Sequence, residues 1–431
     1  MNKHIISDLY QMQSLPLSAK IRMTQNRVRA WYEHFDGNVY ISFSGGKDST
    51  VLLDLVRNEF GYKDIPAMFV DVPTQYPELR SFVKTFDNVD VVQPKINFFQ
   101  VCEKYGFPLF SKEISECVQG ARKYLTSLLE SESVLTDRQT DRQTDLPYRY
   151  WYERVQGIGK YEKKVSASME QTPRTANTPS RGGMTQSIAD YAELANLLNE
   201  RKSKRQGGNN QRLAIMLGMF AESGEIKANI PDKDRSQFSL EAYKFMLDAP
   251  FEISNKCCNV MKKEPAHRYA KETGRMPITA QMASESRLRT QVWLRNGCNA
   301  FEVTNPISNP MSFWTEQDVL RYIKDKGLKI CSVYGDVVTD DEEMGQMQLA
   351  DYEGMELFEI GQQCLHCTGC DRTGCVLCGF GAHIQGDERF IRLRETHPKM
   401  YALLDVVQNN GYTMRQAIDW IVEHSNKVIR Y

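Results

Sequence analysis

The chain has 431 residues, with 54 basic and 55 acidic side chains, a net charge of −1 and 41% hydrophobic residues. That composition excludes a low-complexity chain, allows more than one folding unit, and gives no global electrostatic pull toward nucleic acid or membrane, so any such signal must be local. The opening residues MNKHIISDLYQMQ lack the apolar core of a signal peptide and no apolar run approaches membrane-spanning length, so the expectation is a cytoplasmic protein whose 11 cysteines stay reduced and, where clustered, read as metal ligands or redox groups.

Residues 18–35 set Ile21, Val28, Trp31 and Phe35 among charges, which predicts an amphipathic helix. Residues 38–43 (NVYISF) are β-branched and aromatic and predict a buried strand. A glycine-rich turn follows, and residues 50–60 then show helical spacing through Val51, Leu52, Leu55 and Val56. Residues 65–70 predict a second strand, 78–86 a helix and 89–92 a third strand. This alternation implies a parallel sheet with helices on both faces.

The turn reads Ser44-Gly45-Gly46-Lys47-Asp48-Ser49. Two glycines let the backbone approach phosphate oxygens, and the helix that follows offers unpaired N–H groups and the positive end of its dipole. Ser44, Ser49 and Thr50 add hydroxyls, and Lys47 adds a charge. A Walker loop would need glycine where Ile41 stands and Ser or Thr where Asp48 stands. The bland reading is a glycine turn with an incidental lysine; placement between strand and helix favours an anion site. Asp71 closes the second strand, where ligands of open α/β sheets gather, and reads equally as a turn former.

Residues 1–134 read as the first part of a nucleotide-binding core and 135–245 as an insertion, part helix and part polar loop. Residues 246–385 read as the remainder of the core with a cysteine-rich segment, and 386–431 as a mostly helical end. Within the insertion, residues 136–145 are TDRQTDRQTD, and a DNA repeat of ACAG encodes this cycle in every frame. Gain or loss of one unit would remove the cysteines, so phase-variable expression is the expectation; mixed synonymous codons across the repeat would rule it out. Residues 201–205 (RKSKR) are the one basic run able to meet nucleic acid, and without interleaved aromatics they read first as a solvated loop.

Cys257 and Cys258 open CCNVMKKEP; Cys364, Cys367, Cys370, Cys375 and Cys378 lie within CLHCTGCDRTGCVLC. The Cys-x-x-Cys spacing of Cys375 and Cys378 lets two thiolates reach one metal. Cys102, Cys117, Cys298 and Cys331 are scattered and read as core packing.

SGGKDS, CCNVMKKEP, GCVLC, ITAQMASESRLR and NPISNPMSFWTEQDVLRYI together resemble the phosphoadenosine phosphosulfate (PAPS) reductase family of the PP-loop ATP-pyrophosphatase superfamily, over about residues 20–120 and 250–400. That family includes adenosine phosphosulfate reductases and is similar to DNA phosphorothioation sulfurtransferases. The resemblance implies a PP-loop (adenine nucleotide α-hydrolase-like) parallel sheet. It implies a loop of Ser44, Gly45, Gly46, Lys47, Asp48 and Ser49 that grips the pyrophosphate of ATP or a PAPS-like nucleotide with Mg2+, with Asp71 bordering the adenosine pocket. Lys47 and Asp48 would act in catalysis, and Arg287 and Arg289 would take the anionic end of the substrate. Cys257, Cys258, Cys375 and Cys378 would hold a [4Fe–4S] cluster; Cys364, Cys367 and Cys370, with His366, are further candidates for the cluster or for zinc. The cysteine-rich segment would fold back near the loop.

Three functions are open. One is adenylation or sulfur transfer with release of pyrophosphate, to an unidentified acceptor with nucleic acid among the candidates, served by a sulfur-donor or reductant protein. Another is phosphoadenylyl-sulfate reduction of the thioredoxin type. That reaction uses a cysteine in a Glu-Cys-Gly-Leu-His motif, and no cysteine follows Cys378 here. The third is a non-catalytic regulator that senses nucleotide or redox state.

Overall fold

The structure is a computed structural model that describes residues 2–131, 191–200, 208–228, 230–236, 238–339 and 364–431. The chain forms two compact units: Met1–Phe98 with Cys258–Val376, and Phe99–Cys257 with Leu377–Tyr431. The TDRQ repeat and the basic run at 201–205 lie outside the described residues.

The first unit holds the main sheet. Its strands are β1 (Val39–Ser42), β2 (Ala67–Val70), β3 (Val89–Val92), β4 (Met276–Ile278), β5 (Asn299–Ala300) and β6 (Ile307–Ser308), in the spatial order β3-β2-β1-β4-β6-β5. Every pairing is parallel except that of β5 with β6. In the centre, Ile41 pairs with Ala67 on one side and with Ile278 on the other. Val39, Tyr40, Ile41, Ala67, Met68 and Phe69 are all buried, as strands covered on both faces require. Edge strand β3 instead exposes Asp90 and Val91. The order reverses at β1, from β2 on one side to β4 on the other, and such a switch point opens a crevice at the carboxyl end of the central strand. This is the PP-loop α/β sheet expected from the sequence.

The helices fall close to their predicted places. Helix α1 spans Ile6–Gln13 and α2 Leu17–His34. Helix α3 (Lys47–Asp54) starts three residues before the expected 50 and ends in a π-helical turn, Leu55–Glu59. Helices α4 (Pro77–Val83), α5 (Glu264–Thr273), α6 (Arg287–Asn296) and α7 (Glu316–Lys326) follow. Thr315 caps α7 in a reciprocal box with Asp318. Asp318 also takes the buried Lys20 ammonium of α2 at 2.7 and 2.8 Å, and Trp314 Nε1 donates to Thr24 at 2.9 Å, so α2 and α7 are fastened together.

In the second unit, helix Lys112–Ser131 packs on Asn209–Met216. Its Arg122 is 2% exposed and donates to the carbonyls of Met246, Ala249 and Phe251 at 2.7–2.8 Å, with the Glu252 carboxylate at 3.7 Å, so backbone acceptors and one acid meet a buried cation. The expected helical end at 400–431 is in part a hairpin. Val407–Asn409 pairs with Tyr412–Thr413 across Asn410 and Gly411, both at positive φ, and helix Met414–Glu423 follows. Asn-Gly at a two-residue turn is a strong short-range hairpin signal, and it outweighs the helical pattern here.

Candidate functional site

β1 delivers the chain to Ser44 at the reversal point of the sheet, and Gly46 is the N-cap of α3. Gly45 has φ +72°, and a Cβ there would stand 2.9 Å from Val83 Cγ2 and 3.1 Å from Leu79 Cγ, so α4 can pack on the loop only because this residue has no side chain. The Ser44 and Ser49 hydroxyls lie 3.0 Å apart, Ser44 Oγ accepts from Gly46 N at 3.3 Å, and the hydroxyls of Ser49 and Thr50 donate to the Gly46 carbonyl at 2.9 and 3.0 Å. The hydroxyls the motif supplies thus brace the turn.

Lys47 is buried, 4% exposed, with its ammonium 3.0 Å from Glu316 Oε1 at the first residue of α7 and 3.9 Å from Asp48 Oδ1. It also donates to the Asp371 carbonyl at 3.0 Å. Burial works against its charge, but Asp48 and Glu316 outweigh burial and hold the ammonium above its ordinary pKa. Asp48 is pushed up by burial and by Glu316, against the pull of Lys47, Arg289 and Arg372. Its Oδ1 is buried without a hydrogen-bond partner among the described residues.

The cysteine-rich segment lies on this loop. A strand pair, β7 (Val337–Thr339) and β8 (Leu365–Cys367), runs antiparallel with Val338 opposite His366. Beyond it, Gly369 N and Cys370 N donate to the carbonyls of Tyr334 and Val333, each at 2.8 Å. A Cβ on Gly369 would sit 2.4 Å from the Val333 carbonyl oxygen, so this close approach needs glycine. The Thr373 hydroxyl lies 2.7 Å from that of Tyr334, and a Cβ on Gly46 would meet these two oxygens at 3.3 and 3.1 Å. Burial pushes the Tyr334 hydroxyl up to about 12. Val376 N donates to the Thr74 carbonyl at 2.8 Å, and the Cys370 thiol lies 3.6 Å from the Tyr76 hydroxyl.

Asp71 directly follows β2, takes Arg80 at 2.6 Å and keeps Oδ1 buried without a hydrogen-bond partner among the described residues; the buried Thr74 hydroxyl is in the same state. Arg289 stands in the first turn of α6, paired with Glu285, within electrostatic reach of Asp48. Burial, then Arg372, lower its pKa. Arg287 begins α6 and is exposed.

Cys258, Cys364, Cys367, Cys370 and Cys375 belong to the first unit, Cys257 and Cys378 to the second. Among the described residues, no three or more His, Cys, Asp or Glu side chains are grouped so as to hold a metal ion. Cys370 is buried against Tyr76, Cys364 is exposed, and burial raises the Cys367 thiol to about 11. Cys102, Cys117, Cys298 and Cys331 are buried.

Glu316, Tyr334, Asp371, Arg372 and Thr373 meet at the loop without a sequence pattern to announce them. An acid at the first position of a capped helix reads as a dipole partner, and a backbone carbonyl leaves no trace in the sequence. Among the described residues, no helix is long and apolar enough to cross a membrane.

Residues 38–126 and 221–379, more than half of the chain, match the phosphoadenosine phosphosulfate reductase domain. No relative among the curated proteins matches it.

Proposed function

The chain belongs to the phosphoadenosine phosphosulfate reductase family, and from that premise we propose that it uses an adenine nucleotide at the Ser44–Ser49 loop to adenylate an acceptor or to transfer sulfur, with release of pyrophosphate. The observation that carries this reading is the buried ammonium of Lys47 at the start of α3, met by the Glu316 carboxylate at 3.0 Å where the loop would meet an anion. The acceptor nucleophile attacks the α-phosphorus in line, the bond to the bridging oxygen breaks, and pyrophosphate leaves with its charge held by Lys47 and the loop amides. The acceptor proton passes to solvent. Asp48 Oδ1, buried and without a hydrogen-bond partner, suits a Mg2+ ion, which binds through one or two carboxylates and the phosphates. Bound there, such an ion would supply charge neutralisation to the phosphates. Arg289 supports the same reading by its place beside Asp48. Asp71, with its free buried oxygen, is the adenosine-side candidate.

The test is product analysis after incubation of ATP and Mg2+ with the protein and candidate acceptors, nucleic acid and thiol-bearing proteins included. AMP or adenylated acceptor appearing with pyrophosphate is expected, falling by about a hundredfold in Lys47→Ala. ADP with orthophosphate would overturn the α–β cleavage.

A further inference from the structure

Among the described residues, Arg372 is a cation at the loop that neither the motif nor the Arg287–Arg289 segment supplies. Arg372 lies between Asp371, whose carbonyl takes the Lys47 ammonium at 3.0 Å, and Thr373, whose hydroxyl is 3.3 Å from the place a Cβ on Gly46 would occupy. Its backbone therefore rests directly on the phosphate loop. The exposed guanidinium acts on Asp48 and on Arg289 electrostatically, so Arg372, Arg289, Lys47 and Glu316 all act on the one Asp48 carboxylate. Lys47 is paired with Glu316 and Arg289 with Glu285. Among the described residues, the Arg372 side chain has no hydrogen-bonding or ion-paired partner. Two neighbouring guanidinium groups repel each other unless a group with several anionic oxygens lies between them. The planar fork of arginine matches phosphate or sulfate oxygens, and Arg372 has its donors unspent.

We infer that Arg372, carried onto the loop by the cysteine-rich segment, is a substrate-binding residue that takes the oxyanion chain of the nucleotide beside Lys47 and Arg289. This rests on the nucleotide reading of the loop. It gives the segment a role that needs no metal: to bring a cation 325 positions distant from Lys47 in the chain (372 − 47) to the phosphates.

The test is equilibrium titration of the full chain with AMP, ADP, ATP and adenosine 3′,5′-bisphosphate, for the wild type, Arg372→Gln, Arg372→Lys and Lys47→Ala. Arg372→Gln should weaken ligands with two or more phosphates by about tenfold or more and AMP much less, and Arg372→Lys should recover part of the loss as a point charge without the fork. A loss seen for ADP and ATP puts the oxyanions on the 5′ chain; a loss seen for the bisphosphate puts one on the ribose; either supports the assignment. Unchanged affinities in Arg372→Gln, while Lys47→Ala binds weakly, would overturn Arg372 and leave the nucleotide reading standing. Equal loss for all four ligands in both Arg372 variants would mean a structural role and overturn it too. A wild type that binds none of them would remove both readings.

Discussion

Lys47 is charge-paired before any nucleotide arrives. Glu316 is its closest carboxylate and is itself 57% exposed, and on the proposed reading it yields its place to phosphate. Glu316→Gln removes the competitor, and ATP affinity should rise by about two- to fivefold, the range of a partly exposed ion pair, as read by calorimetry. Asp48 illustrates the opposite pressure. Its folded pKa is raised above the ordinary 3.8, so its contribution to stability is fully present below that value and lost as pH rises through the raised one. At neutral pH the ionised carboxylate costs the fold. Asp48→Asn should therefore raise Tm by about 2 °C at pH 7 while nucleotide turnover falls. A Tm that drops instead would show that its ion pair with Lys47 outweighs burial.

The loop depends on elements that close on it from both sides. Gly45→Ala forces a left-handed conformation on a side chain and drives its Cβ into Val83 and Leu79 of α4, which should cost about 2 kcal/mol or more in urea unfolding. Asp318→Ala would leave Lys20 buried without its carboxylate and open the cap of α7, a loss of about 3–5 kcal/mol. It should also weaken nucleotide binding, since Glu316 begins the same helix. These elements were legible to different degrees. The three leading strands and the helices around the motif follow from local periodicity, because buried parallel strands and amphipathic helices write continuous or 3.6-period apolar patterns. The start of α3 at Lys47 was missed because Gly46 caps it and the motif residues are polar. The hairpin around Asn410 and Gly411 was hidden behind the helical spacing of its surroundings. The family resemblance implied that the cysteine-rich segment folds back near the loop, and it does; the contacts that seat it were not legible. It rests on contacts such as Lys47 with the Asp371 carbonyl and Val376 N with the Thr74 carbonyl, which join residues some 300 positions apart and involve backbone atoms common to every residue.

Across the first unit, five tyrosines share one pH response. Burial raises Tyr40, Tyr62, Tyr269, Tyr322 and Tyr334, with Tyr269 and Tyr334 at about 12; Asp90 adds to the rise at Tyr269 and Asp54 at Tyr322. Groups with raised folded pKa values stabilise fully below the unfolded value of 10.0 and lose that contribution as pH climbs through the folded one. The urea midpoint should thus hold up to about pH 10 and fall toward about pH 12, with a shallower fall in Tyr269→Phe. A midpoint flat across that window would contradict the burial seen around these hydroxyls. The account as a whole turns on the loop at the carboxyl end of β1 holding the phosphates of an adenine nucleotide through Lys47. Calorimetric titration of the full chain with ATP and Mg2+, beside Lys47→Ala, tests this most directly. The account predicts one site per chain, weakened about tenfold or more by the substitution. Equal affinity in the two proteins, or no binding by the wild type, would contradict it.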